Sequence, residues 1–186
     1  MGYTLEDFVA FEKKKPITDK DVRMLVTRPI KIRNYDGLSK EDSLHSLLPR
    51  PGDGCVLFWK NRDNKAMGHF NLLLRYPSAK HGPEFEWFDS YGFSPQQVAA
   101  RTTHDGAVKL TRLLKKHKVY YGRHAFQRGD DVNTCGRYCA FRYNCHQFKY
   151  DDFRQLMQYR GVAPDDLVTL LTISVDFSHI NGRHRG

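Results

Sequence analysis

Residues 69–89 read HFNLLLRYPSAKHGPEFEWFD. Two apolar runs, His69–Tyr76 and Glu84–Asp89, flank Pro77, Ser78, Gly82 and Pro83, a turn-rich connection that suits a β-hairpin. If residues 77–83 close the hairpin, Tyr76 pairs with Glu84 and facing residue numbers sum to about 160, which carries Asp89 opposite Asn71. Side chains alternate along a strand, so His69, two residues before Asn71, shares a face with Asp89 at one end of the sheet. A one-residue slip would separate them onto opposite faces. In this register an imidazole and a carboxylate lie within hydrogen-bonding reach. Taken singly, each has a plainer reading: His69 as a strand-end residue, and Asp89 as the turn-former before Ser90-Tyr91-Gly92.

Outward from the hairpin, Cys55–Trp59 (CVLFW) and Val119–Phe126 read as further strands. Residues 1–50 read as short helices, because Thr4 with Asp7, Thr18 with Asp21 and Ser39 with Asp42 each place an acid three residues after an N-cap residue. Phe8 and Phe11 supply an apolar stripe to the first of these helices. Pro49, Pro51, Gly52 and Gly54 then break the chain. Ser94-Pro95-Gln96-Gln97 starts a helix, and a second, roughly Asp105–His117, carries Val108, Leu110, Leu113 and Leu114. Further helices are expected from Cys135 to about Gln147, over Asp151–Arg160 ended by Gly161, and over Pro164–Ile173. Residues 178–186 read as a basic, mobile tail. The sum is one α+β domain over residues 1–186: a small mixed, mostly antiparallel sheet with helices packed around it.

The chain has 186 residues, 40% hydrophobic and 27% charged, which fits one globular domain with a real core and excludes a disordered chain. No apolar run approaches the roughly 18 residues of a membrane span, and the N-terminus lacks the pattern of a signal peptide. Four cysteines in such a chain read as thiols in a reducing intracellular compartment. The net charge of +9 points to a polyanion or an acidic surface as partner.

Cys135 sits where the polar loop Asp131-Val132-Asn133-Thr134 meets a predicted helix. Unpaired amides and the dipole at a helix N-terminus favour a thiolate, and Gly136 allows a substrate backbone to approach closely. The plainer reading is a small buried hydrophobe. A thiolate nucleophile needs an imidazole, which in turn needs an orienting group. His69 and Asp89 supply that pair if the hairpin register holds. Gln127, eight residues before Cys135, offers a side-chain amide to an oxyanion, with the Cys135 backbone N–H as second donor.

The ordered set His69, Asp89, Gln127, Cys135-Gly136 resembles the cysteine proteases related to the adenovirus maturation protease and the SUMO-type deconjugating proteases. The adenovirus type is the nearer resemblance. Phe88-Asp89-Ser90-Tyr91-Gly92-Phe93-Ser94 is similar to that family's segment around its acidic residue, and Cys135-Gly136-Arg137-Tyr138-Cys139-Ala140-Phe141 to its nucleophile helix. The motif-bearing part covers about residues 54–148. The resemblance implies a papain-like, circularly permuted fold with the nucleophile at a helix N-terminus. It implies Cys135 as nucleophile, His69 as base and acid, Asp89 as its orienter and Gln127 in the oxyanion hole. It further implies cleavage of capsid or core precursor proteins at glycine-containing sites by a monomer, in a virion or an infected host cell. Gln127 lies farther from Cys135 than in many relatives, Phe70 stands where tryptophan is common, and Thr134 stands where deconjugating relatives usually have aspartate. The adenovirus enzyme's peptide activator is joined through a cysteine upstream of the glutamine. No cysteine lies between Asp89 and Gln127 here, so a peptide activator, which the resemblance still allows beside DNA, would have to be held without that disulfide.

Other readings compete. Cys135, Cys139, Cys145 and His146 form a candidate metal set, but they lack the short Cys-x2-Cys pairs of structural zinc sites, so no metal or cofactor is expected. Between Arg101 and Arg128, eight basic residues face one acid. Lys109, Arg112, Lys115, Lys116, Lys118, Arg123 and Arg128 are therefore candidate DNA contacts, and the resemblance implies DNA as a tether or activator; a solvated helix face is the alternative. Arg183 and Arg185 would extend the patch. The remaining alternatives are a ubiquitin-like-protein deconjugating protease or acyltransferase using the same Cys135 and His69, and a non-catalytic basic protein that packages nucleic acid.

Overall fold

Five strands form a single sheet in spatial order 1-2-3-4-5: β1 (Lys31–Asn34), β2 (Gly54–Lys60), β3 (Gly68–Arg75), β4 (Phe85–Phe88) and β5 (Val119–Tyr121). The computed structural model describes residues 4–64, 68–78, 82–129 and 131–182. The β3–β4 register runs Leu72 to Phe88, Leu73 to Trp87, Leu74 to Glu86 and Arg75 to Phe85, with Tyr76 N–H donating to Glu84 O at 2.9 Å. This is the register that sets Asp89 beside Asn71.

Both faces of the sheet are covered, which explains why β2 and β3 read as continuous apolar runs. Val56, Phe70, Leu72, Leu74 and Phe88 face a core built with α2 (Asp19–Leu25), α6 (Cys135–Asn144), α7 (Tyr150–Leu156) and α8 (Pro164–Gly182). Cys55, Leu57, Trp59, Leu73, Phe85 and Trp87 face the other core, with α3 (Leu44–Leu47), α4 (Pro95–Ala99) and α5 (His104–Leu114). The domain is α+β with a mixed sheet. The two central strand pairs are antiparallel, but β1–β2 and β4–β5 are parallel. The antiparallel ladders still hold more of the paired residues, eleven against seven. The parallel pairs arise because α3 carries the chain over between β1 and β2, and α4 and α5 between β4 and β5.

Capping boxes at Thr4–Asp7, Thr18–Asp21 and Ser94–Gln97 start α1 (Leu5–Glu12), α2 and α4. At Ser39 the backbone N–H donates to Asp42 at 2.6 Å, yet no helix follows; Ser43 caps α3 instead. On α1 the buried residue is Val9, while Phe8 and Phe11 of the expected stripe are 38% and 68% exposed. β5 stops at Tyr121 rather than Phe126, because Gly122 lies against the Tyr150 ring, 1.8 Å from where a Cβ would sit. α8 runs through Gly182 and so takes in part of the segment expected as a tail; Arg183 and Arg185 lie outside the described residues.

α6 is tied to the sheet by a fully buried ion pair. Arg142 Nε and Nη2 reach Glu86 Oε1 and Oε2 at 2.9 and 2.7 Å, and the Tyr76 hydroxyl also donates to Glu86. Removing one partner of such a pair strands a buried charge and costs about 3–5 kcal/mol.

Candidate active site

Cys135 is the first residue of α6 and is half-buried. Thr134, at the N-cap, turns its hydroxyl away to Asp165 Oδ1 at 2.7 Å, so no side chain caps the first turn of α6. The Gly136 and Phe70 amides point at the Cys135 sulfur instead. Gly136 lies close under Ile17 and Phe70: a Cβ there would meet Ile17 at 2.7 Å and Phe70 at 3.2 Å.

His69 enters from β3. Its Nε2 meets Asp89 Oδ2 at 2.9 Å, which leaves Nδ1 as the ring nitrogen for Cys135. The His69 side chain is 8% exposed and lies between aromatic rings, Trp59 at 5.6 Å and Tyr91 at 5.3 Å between centroids. Asp89, just past β4, accepts on both oxygens. Oδ2 takes His69 and Asn71 Nδ2 (2.5 Å), and Oδ1 takes the backbone N–H groups of Tyr91 (2.7 Å) and Phe93 (3.2 Å). The tight Asp89–Gly92 turn that supplies those amides needs Gly92, with φ of 73° and the Arg123 carbonyl oxygen 2.8 Å from a notional Cβ.

The charges follow from this geometry. Burial pushes the His69 pKa down, but the Asp89 and Cys135 charges and their hydrogen bonds outweigh it and lift it to about 10. Burial pushes the Cys135 thiol up, but the His69 charge and hydrogen bond, with the Phe70 and Gly136 amides, bring it below its ordinary value. Both shifts favour thiolate beside imidazolium. The other thiols move the opposite way. Burial raises Cys55 to about 12, Cys139 well above its ordinary value, and Cys145 upward.

Gln127 arrives through the irregular segment after β5. Phe126 and Gln127 N–H both donate to Ser90 O, at 2.8 and 2.9 Å, which docks the segment beside the Asp89 turn. The Gln127 amide is buried: Oε1 accepts from Ser90 Oγ at 2.8 Å, and Nε2 donates to Val132 O (2.9 Å) and to the Tyr91 hydroxyl (2.8 Å). Asp165 holds both ends of the following loop, through Arg128 N–H at 3.2 Å and the Thr134 hydroxyl at 2.7 Å. The N-terminal arm braces the same loop: Asn133 donates its backbone N–H to Lys13 O (2.8 Å) and Nδ2 to Lys14 O (2.6 Å).

Cys145 and His146 follow the C-terminal end of α6, about 15 Å along the helix from Cys135, so the candidate metal set does not converge. Among the described residues no group of three or more His, Cys, Asp or Glu is placed to hold a metal ion. The basic segment divides. Lys109 pairs with Asp105 (2.7 Å) and donates to Asp36 O (2.5 Å), and Arg112 donates to Ser39 O (2.8 Å), which ties both heads to the protein. Lys115, Lys116, Lys118, Arg123 and Arg128 are exposed.

Five contributors do not stand out in the sequence: Asn71, Tyr91, Asp165, and Tyr35 and Trp59, whose O–H and N–H groups reach Asn71 Oδ1. For Asn71 the signal was present, an amide inside the apolar run HFNLLL and opposite Asp89. Trp59 and Asp165 come from other segments, and nothing local marks them.

The chain is 28% identical over 177 residues to the uncharacterized protein V9 of Sputnik virophage, a match covering 88% of this chain and 97% of that protein. A virophage relative supports a viral origin for the chain. No family model and no solved structure matches it. Among the described residues no helix is long and apolar enough to cross a membrane.

Proposed function

We propose that the protein is a cysteine endopeptidase that cleaves viral capsid or core precursor proteins during virion maturation, on a papain-like, circularly permuted fold. The observation that carries this reading is the array of Cys135 at the uncapped start of α6, His69 beside it, and Asp89 on His69 Nε2 at 2.9 Å. In the reaction the Cys135 thiolate attacks the scissile carbonyl carbon. His69 gives its proton to the leaving amine as the carbon–nitrogen bond breaks, which leaves a thioester on Cys135. Water then attacks the thioester, giving its proton to His69 as base; the acid leaves and the thiolate beside imidazolium is restored. The Cys135 N–H and Gln127 Nε2 are the oxyanion donors; Gln127 must give up one of its two bonds, to the Tyr91 hydroxyl or to Val132 O, to serve.

The substrate class and its glycine-containing sites rest on the resemblance to adenovirus-type maturation proteases, and the virophage relative agrees with a viral setting. The exposed Lys115, Lys116, Lys118, Arg123 and Arg128 support DNA as a tether for the enzyme. The test is coexpression of the chain, and of its Cys135→Ala form, with the capsid proteins encoded beside it. Gel shifts and terminal sequencing should show cleavage by the parent alone. Processing that survives Cys135→Ala refutes the protease reading. Cleavage of a ubiquitin-like fusion but not of capsid proteins moves the substrate to deconjugation. DNA binding without any thiol activity leaves the packaging reading.

A further inference from the structure

Asn71 sits on β3 in the middle of a core strand, between Phe70 and Leu72, and is fully buried. An unmatched amide is costly in such a place. Asn71 is matched. Trp59 Nε1 and the Tyr35 hydroxyl both reach its Oδ1 at 2.9 Å, and its Nδ2 reaches Asp89 Oδ2 at 2.5 Å. Indole N–H only donates, so the Asn71 atom facing Trp59 must be the acceptor oxygen. That fixes the orientation of the amide. Nδ2 must face Asp89, and it donates there.

From this directed chain we propose that Asn71 is a positioning residue for the proposed reaction: locked by Trp59 and Tyr35, it holds the Asp89 carboxylate in the orientation that presents His69 to Cys135. The three partners come from separate elements. Tyr35 follows β1, Trp59 lies on β2, and Asp89 follows β4, so Asn71 joins three strands of the sheet at the point where the site is built. His69 and Asn71 share one acceptor oxygen, Oδ2, so a carboxylate released by Asn71 can rotate away from the imidazole. The Tyr91 and Phe93 amides hold only the other oxygen. Asn71 touches neither a substrate position nor Cys135 in this arrangement; it acts through Asp89.

This role rests on the reading of Cys135, His69 and Asp89 given above, and its test needs no knowledge of the substrate. The rate of Cys135 alkylation by iodoacetamide is measured against pH for the parent, Asn71→Leu, Asp89→Asn and the double variant, with a thermal melt for each. Asn71→Leu should slow alkylation at pH 7 by about tenfold to a hundredfold, the worth of one hydrogen bond to a charged acceptor. It should also move the alkaline limb, where His69 loses its proton, to lower pH. The double variant should be no slower than Asp89→Asn alone, within about twofold, because the two residues act in series. A merely structural role for Asn71 predicts a lower melting temperature with an unshifted pH profile, or single effects that multiply in the double variant, and either result overturns the proposal. If Asn71→Leu does not fold, Tyr35→Phe keeps the fold and removes one lock from Oδ1; a smaller slowing with the same direction of pH shift is expected, and an unaltered profile overturns the proposal. If His69→Ala leaves Cys135 alkylation unchanged, the nucleophile reading itself fails. A slowed His69→Ala with an unchanged Asn71→Leu defeats the role of Asn71 alone.

Discussion

Asp89→Asn removes the charge and leaves one acceptor oxygen where the carboxylate has two, so it tests what the carboxylate as a whole does for His69. The two side chains are 8% and 0% exposed and meet at 2.9 Å. At an effective dielectric of about 20, a charge pair at that distance interacts by about 6 kcal/mol, which corresponds to about four pKa units. His69 stands at about 10 in the parent. Without Asp89, burial still lowers it and only Cys135 opposes, so it should fall well below the parent value. The imidazolium is then weakened as a partner and the Cys135 thiol returns towards its ordinary value. His69 binds its proton more tightly folded than unfolded, so the stability it lends is fully present below pH 6.5 and fades as pH rises through about 10. In Asp89→Asn that pH-dependent part should vanish. The assays are NMR titration of the His69 ring and the pH profile of Cys135 alkylation between pH 5 and 11. A His69 that still titrates near 10 in Asp89→Asn refutes the claim that Asp89 sets its charge.

Three further outcomes are expected. Glu86→Ala strands Arg142, which is fully buried with it, and should lower stability by about 3–5 kcal/mol, or about 6–20 °C in melting temperature for a chain of this size; a melt within about 2 °C of the parent contradicts the lock between α6 and β4. Asp165→Ala frees the Arg128 amide and the Thr134 hydroxyl and should cost about 1–3 kcal/mol, with faster hydrogen exchange at Arg128; unchanged exchange removes Asp165 from its place as the loop's anchor. If DNA binds, replacing Lys115, Lys116 and Lys118 by alanine should flatten the salt dependence of duplex binding, by up to about 0.9 in log–log slope for each phosphate no longer neutralised, whereas replacing Lys109 and Arg112, which are tied to Asp36 and Ser39, should change it less; equal effects contradict the division of the patch.

The hairpin was legible in its two apolar runs and its Pro- and Gly-bearing loop, and of the registers open to it the one closed by residues 77–83 is the one observed. That register carries His69, Asn71 and Asp89 to one place on residue spacing alone. β1 was not legible: in Lys31-Ile32-Arg33-Asn34 only Ile32 packs against the core, so an edge strand in parallel pairing leaves no apolar signature. The extent of β5 was misread for a different reason. The apolar pattern continues to Phe126, but Gly122 marks where the Tyr150 ring comes too close for a side chain. The end of α8 was placed too early because the sequence after Ile173 turns polar while the backbone stays helical. The supports of the site were the least visible, since Tyr35, Trp59 and Asp165 are brought to the site only by the sheet and by α8.

The central claim is that one thiol of four is held as a reactive thiolate by His69. The most direct measurement is residue-resolved alkylation of the folded chain with limiting iodoacetamide at pH 7, read by mass spectrometry. Cys135, the thiol lowered in pKa, should be modified well ahead of Cys55, Cys139 and Cys145, all raised, and its lead should disappear in His69→Ala. Modification of Cys145 first, or a Cys135 rate that His69→Ala leaves untouched, contradicts the account.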